Sequence, residues 1–345
     1  MNKKPRVLII YTGGTIGMVD DPITGALVPF DFNHLYKSVP ELNQIDYQLD
    51  VISTEQPIDS SEMNAVHWGH LATTIFEKYA QYDGFVILHG SDTMAFTASA
   101  LSFMLQGLKK PIILTGSQLP IGKIRTDGKE NLITAVEIAG LQAKDNLPII
   151  QEVAVYFEDH LYRGNRASKI SSKAFEAFDS PNFDHLATVG VEIEFDWNQL
   201  FRTDKVELEY FPDFNTNIGL VKLFPSMNID ALTSIFDIKY NAGVILETFG
   251  SGNSFNSKPF YNMLEKYVKA GGIVINITQC IKGNVLIGKY ETSNLFTKLG
   301  VVNGHDLTTE SAVTKLMYVL GKYNDHKTRV EQLNRSICGE MLRKH

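Results

Sequence analysis

The 345-residue chain is 44% hydrophobic and 21% charged, an ordinary globular composition long enough for two domains. A formal net charge of −7, with no long acidic or basic block, argues against a nucleic-acid partner, and no apolar run reaches the length that crosses a membrane. Two cysteines, Cys280 and Cys338, make no disulfide framework and fit a reducing, cytoplasmic setting.

Residues Met1 to Arg6 have a basic start but no cleavage-site pattern, so Val7–Tyr11 reads as a first strand rather than a leader. Strands are expected at 6–12, 47–52, 84–88, 111–115 and 152–157, each nearly continuous in Val, Ile and Leu. That is the pattern of a parallel strand buried on both faces. Helices are expected between them near 64–82, 93–106 and 127–143. Alternating β and α predicts an α/β fold: a larger N-terminal parallel-sheet domain covered by helices, over residues 1–190. Val191–Trp197 alternates apolar and polar residues, as an edge strand or connection would, and the polar stretch to 217 holds Pro212. A linker is expected over 191–217. A second βα pattern follows, with strands at 218–223, 242–247 and 273–277 and helices near 228–239, 255–270 and 309–321. It predicts a smaller C-terminal α/β domain over 218–345.

Polar turns follow three of these strands. Thr12-Gly13-Gly14-Thr15-Ile16-Gly17 follows the first, His89-Gly90-Ser91-Asp92-Thr93 the third and Thr115-Gly116-Ser117-Gln118 the fourth. If the strands are parallel, these turns share the carboxyl edge, where open α/β sheets bind ligands. The first turn fits neither the dinucleotide nor the phosphate-loop glycine spacing. Each turn also has a plain reading. Ser91 and Asp92 suit a helix cap, and so does the span from Asp59 through Ser60 and Ser61 to Glu62. Lys169 lies in the basic run Arg163–Lys169. It is either a solvated surface group or, drawn inside, a base for a hydroxyl with Asp92 holding it.

These motifs, with Tyr162-Arg163-Gly164-Asn165-Arg166 and Thr278-Gln279-Cys280, resemble the bacterial-type L-asparaginases, especially the cytoplasmic type I group. The resemblance spans essentially the whole chain. It implies hydrolysis of the side-chain amide of L-asparagine to L-aspartate and ammonia, without a metal or organic cofactor. It implies Thr15 as nucleophile, Ser91, Asp92 and Lys169 as a second catalytic group, and Asp59, Ser60 and Ser61 as substrate-binding residues. Backbone N–H groups near Thr15 and Ser91 would bind the oxyanion. Asn253 would complete the site of a neighbouring subunit in a homodimer or a homotetramer built as a dimer of dimers.

Two departures from the family pattern stand out. Serine occupies position 91, where the family usually has threonine, and Met18–Pro29 holds no tyrosine, which many members carry in the loop after the first motif. Tyr290 is the candidate substitute. Cys280 either lines an allosteric pocket, as in some type I members, or is a small buried residue ending a strand. Other readings are a glutamine-deamidating amidotransferase subunit, which usually has an extra N-terminal domain, a non-catalytic amino-acid sensor, and a nucleotide-dependent oxidoreductase.

Overall fold

The computed structural model describes residues 4–20, 27–29, 39–286 and 291–342. They divide into two compact units, the first ending at Pro212 and the second beginning at Asp213. In the first unit, β1 (Arg6–Tyr11), β2 (Gln48–Ser53), β3 (Gly84–Leu88), β4 (Ile112–Thr115) and β5 (Val153–Phe157) run parallel in the order β2-β1-β3-β4-β5. Every residue of β3, β4 and β5 is buried. Burying each Val, Leu or Ile there contributes about 1.5–3 kcal/mol, which explains the near absence of polar alternation. Among the described residues, three helices accompany the sheet: α1 (Ala65–Lys78), α2 (Met94–Met104) and α3 (Gly128–Gly140).

The sheet is not wholly parallel. Beyond β5 it continues antiparallel through β6 (His160–Arg163), β9 (Ala187–Val189) and the edge strand β10 (Ile193–Phe195). The short ribbon of β7 (Ser168–Lys169) and β8 (Phe178–Asp179) lies between β6 and β9 in sequence. The turn joining β5 to β6 places Glu158 at φ 56°. A charged residue in that conformation carries none of the Asn-Gly or Asp-Gly signal of a tight hairpin, so the sequence does not announce this turn. The expected linker also looks different. Within 191–217, Ile193–Phe195 joins the first sheet and Glu209–Tyr210 pairs with Leu105–Gln106.

In the second unit, β11 (Ile218–Lys222), β12 (Gly243–Thr248), β13 (Ile273–Thr278) and β14 (Val302–Asn303) form a parallel sheet in chain order. Its helices are α4 (Lys258–Lys269), α5 (Glu291–Lys298), α6 (Thr309–Lys322) and α7 (His326–Leu333). The core stacks Phe236 edge-on against Phe260 and Tyr267. The helix expected over 228–239 is instead a 3-10 turn, Ile229–Leu232, followed by further turns. Side chains bond the backbone there: Asn228 caps Asp230, Thr233 donates to the Asp230 carbonyl, and Asp237 accepts from the Lys239 amide. Such bonds compete with regular helix.

The end of this unit is fixed by a buried ion pair. Lys315 Nζ and Glu340 Oε1 are 2.8 Å apart, and both side chains are 0% exposed. Lys315 also donates to the carbonyls of Leu333 and Arg335, while Glu340 accepts from the amides of Ile337 and Cys338. Burial alone would raise the Glu340 carboxyl, but the Lys315 charge and the donated hydrogen bonds outweigh it and hold the group below its ordinary value.

Candidate active site

Because β2, β1, β3 and β4 are parallel neighbours, the loops after all four leave the same sheet edge. The two threonines of the first loop are treated differently. Thr12 is buried, and its hydroxyl donates to the Leu88 carbonyl at 2.9 Å. Thr15 is partly exposed and opens the 3-10 turn Thr15–Gly17. Among the described residues, no hydrogen bond occupies the Thr15 hydroxyl. The Tyr11 hydroxyl supports the turn by donating to the Gly17 carbonyl at 3.2 Å, and burial pushes that phenol up to about 12.

Close packing of the loops requires glycine at two positions. Gly14 has φ 85°, and a Cβ there would strike the Gly90 backbone. A Cβ on Gly90 would lie 2.5 Å from Ser60 Oγ. Loops after three strands therefore meet without intervening side chains. Thr93 ties two of them further, donating to the Ser60 carbonyl at 2.6 Å. Asp59 is exposed, and its Oδ1 accepts from both the Ser61 amide and the Ser61 hydroxyl at 2.9 Å. Those two bonds lower its pKa and keep it a carboxylate. Asp59 thus caps the turn Ser60–Glu62, while Asn64 caps α1.

Ser91 and Asp92 do not cap α2. The first turn of that helix has no side-chain cap bond. Instead, Lys169 Nζ donates to Ser91 Oγ at 2.8 Å and to Asp92 Oδ1 at 2.6 Å. These partners lie 78 and 77 residues away in sequence. The ribbon of β7 and β8 presents the lysine, pairing Lys169 with Phe178, and the Tyr162 hydroxyl holds the Phe178 carbonyl at 3.0 Å. Lys169 is 17% exposed and Asp92 66%. The cluster thus opens to solvent on its carboxylate side.

Several supporting residues have no role assigned from sequence. Gln118 Oε1 accepts from Ser91 Oγ at 3.5 Å, while its Nε2 donates to the Ala174 carbonyl. Buried Asp127 accepts from the Gln118 and Leu119 amides, and Asn131 donates to the Gly116 carbonyl. An Asp and an Asn four apart at the start of a helical pattern were the only signal, and a cap explains them equally well. His89 is wholly buried.

Other expected site residues fall outside the first unit in sequence. Tyr290 lies outside the described residues. Asn253 lies in the second unit, in the tight turn after β12, where Phe249 and Asn253 form a bridge. Cys280 is exposed, two residues past the end of β13, so the reading of it as a buried strand terminus is corrected. Its neighbour Gln279 turns inward, donating to the carbonyls of Leu223 and Glu247. Among the described residues, no cluster of His, Cys, Asp and Glu could hold a metal ion, and no helix is long and apolar enough to cross a membrane.

Comparison with known proteins agrees with this architecture. Residues 6–201 match the family described as "Asparaginase, N-terminal", and residues 217–333 match "Glutaminase/Asparaginase C-terminal domain". The chain is 37% identical to L-asparaginase 1 of Escherichia coli K12, over 98% of each chain. The crystal structure of L-asparaginase I from Vibrio cholerae superposes with a TM-score of 0.89 at 34% identity, covering 99% of this chain and 100% of that one. The thermostable L-asparaginase of Thermococcus kodakarensis gives the same TM-score at 28% identity, covering 98% and 100%. Two family domains in the right order, relatives alike over nearly their whole length and a shared fold place this chain in the asparaginase family.

Proposed function

We propose that the protein hydrolyses the side-chain amide of L-asparagine, giving L-aspartate and ammonia. The observation that carries the reading is the contact of Lys169 Nζ with both Ser91 Oγ and Asp92 Oδ1, on the sheet edge where Thr15 offers its hydroxyl. An amide is a weak electrophile with a poor leaving group, so its cleavage needs a positioned nucleophile, proton transfer and oxyanion stabilisation. Thr15 is the nucleophile in this reading, and Thr12 is tied to Leu88. Thr15 Oγ bonds to the amide carbon, the C–N bond breaks, and the nitrogen takes up a proton and leaves as ammonia. Water then attacks the ester carbon and frees aspartate. Ser91 and Lys169 relay the proton, and Asp92 holds the ammonium form of the lysine when it carries the charge.

The zwitterionic end of the substrate needs a carboxylate for its ammonium and donors for its carboxylate. Asp59 supplies the first, with Ser60 and Ser61 beside it. Asn253 reaches the site of a neighbouring subunit in this reading, in a homodimer or a dimer of dimers working in the cytoplasm. Size-exclusion chromatography with light scattering checks the assembly, and a monomer that retains full activity refutes the shared site.

The test of the chemistry is ammonia release. Purified protein should release ammonia from L-asparagine much faster than from L-glutamine, and Thr15→Ala should abolish it. Ammonia release surviving in Thr15→Ala overturns the assignment of the nucleophile.

A further inference from the structure

His89 sits between the third strand and Ser91, yet it faces away from solvent: its side chain is 0% exposed. Both ring nitrogens are engaged. Nδ1 lies 2.7 Å from the carbonyl oxygen of Gly90, and Nε2 lies 2.9 Å from Thr97 Oγ1 on α2. Thr97 Oγ1 in turn accepts from the indole N–H of Trp68 on α1 at 3.0 Å. The indole can only donate, and a carbonyl can only accept. With a neutral imidazole, one arrangement then satisfies every atom. Trp68 donates to Thr97, Thr97 donates to Nε2, and Nδ1–H donates to Gly90. Burial supports that state, pulling the imidazole down to about 4 against the opposing bond from Gly90.

That chain of bonds also orients the next peptide unit. The described backbone has no cis peptide, so the Gly90–Ser91 unit is trans and its N–H points opposite to its C=O. The carbonyl is aimed at a buried ring, so the Ser91 N–H is aimed away from it. Among the described residues, no acceptor takes that N–H. Ser91 also carries the hydroxyl that meets Lys169, so one residue presents both a free amide and a catalytic hydroxyl.

We propose that His89 is a positioning residue for amide hydrolysis: its Nδ1–H bond to the Gly90 carbonyl locks the Gly90–Ser91 peptide so that the Ser91 N–H stays aimed at the developing oxyanion. The inference rests on the hydrolase reading above and deepens it. A preorganised donor stabilises the transition state more than the ground state, because the oxygen gains charge only as the tetrahedral species forms. Loosening the peptide therefore lowers kcat more than it raises KM.

The test compares His89→Leu, His89→Asn and Thr15→Ala with the wild type, using ammonia release from L-asparagine, thermal unfolding and ¹⁵N NMR of the histidine ring. Asn keeps an N–H close to the position of Nδ1, and Leu removes it at similar volume. His89→Leu should lose about 10- to 100-fold in kcat per folded molecule, with KM within about threefold, since a misaimed donor falls short of the roughly 10²–10³ loss of a deleted one. His89→Asn should recover most of that loss. The wild-type ring should be neutral at pH 7 with its proton on Nδ1. A proton on Nε2 overturns the inference, as does a His89→Leu kcat within twofold of wild type while Thr15→Ala is inactive. Activity surviving in Thr15→Ala instead overturns the underlying reading. Should His89→Leu not fold, the ring tautomer and the kcat of His89→Asn, expected within about tenfold of wild type, decide the matter.

Discussion

Two of the lysine–carboxylate pairs, similar in length, sit in opposite surroundings. Lys169 and Asp92 are 2.6 Å apart at the open edge of the first sheet, with the carboxylate two-thirds exposed. Lys315 and Glu340 are 2.8 Å apart inside the second unit, with neither side chain exposed. The difference lies in the remaining partners. Around Lys315, two backbone carbonyls fill the other donors and backbone amides fill Glu340. Around Lys169, the further partner is the hydroxyl of half-buried Ser91. A saturated pair fixes the end of a chain, whereas the half-open pair leaves the Ser91 hydroxyl for the proton relay of the proposed function.

Cutting each pair sharpens that contrast. Lys169→Met should reduce ammonia release by about 10²- to 10⁴-fold, the usual weight of a proton-transfer group. Its unfolding free energy should change by less than about 1 kcal/mol, because the pair is half in solvent. Lys315→Met should do the reverse: about 3–5 kcal/mol of stability lost on leaving Glu340 buried and unpaired, with kcat per folded molecule unchanged. Urea unfolding and ammonia release, measured on both variants, check the pair of predictions. Adding Glu340→Gln to Lys315→Met should leave at least about 2 kcal/mol of the loss in place. The Leu333 and Arg335 carbonyls stay unpaired, and such groups are costly when buried. Full recovery in the double variant contradicts this account of the clamp.

Acid should weaken the fold through two groups. The Glu340 carboxyl titrates below its ordinary value, so its contribution is complete above that value and fades as pH falls through the lowered one. His89 is pulled from 6.5 to about 4, so between those values the unfolded chain binds a proton that the folded chain does not. Stability therefore falls on acidification by up to about 1.4 kcal/mol per pH unit from His89 alone. Urea midpoints from pH 7 to 5 should fall, and His89→Asn should flatten that slope. An unchanged slope shows that the ring is already charged in the fold. The smallest effect is expected from Ser91→Thr. It keeps the hydroxyl that Lys169 meets and adds one methyl, so kcat should stay within about threefold.

How much of this was legible in sequence depended on distance along the chain. The strands of the first sheet and the helices between them carry local signals, because a doubly covered strand must be apolar throughout. The turn at Glu158, which reverses the sheet, carries no such signal, and the 3-10 turn over Ile229–Leu232 mimics a helical pattern that its own side chains break. At the site, Thr15, Ser91 and Asp92 stood out as polar residues after buried strands. The approach of Lys169 did not, since it depends on a two-residue ribbon nearly eighty positions away. In the sequence His89 stood out only as part of a polar turn, and Thr97 and Trp68 did not stand out at all. Their roles depend on which atom donates to which, and no spacing rule encodes that.

The most direct test of the hydrolase account is a crystal structure of the protein with L-aspartate bound. The account predicts the product's side-chain carboxylate against Thr15 Oγ and the Ser91 amide, with Asp59 at the α-ammonium. A product seated with that carboxylate away from Thr15, or an α-ammonium held without Asp59, contradicts it.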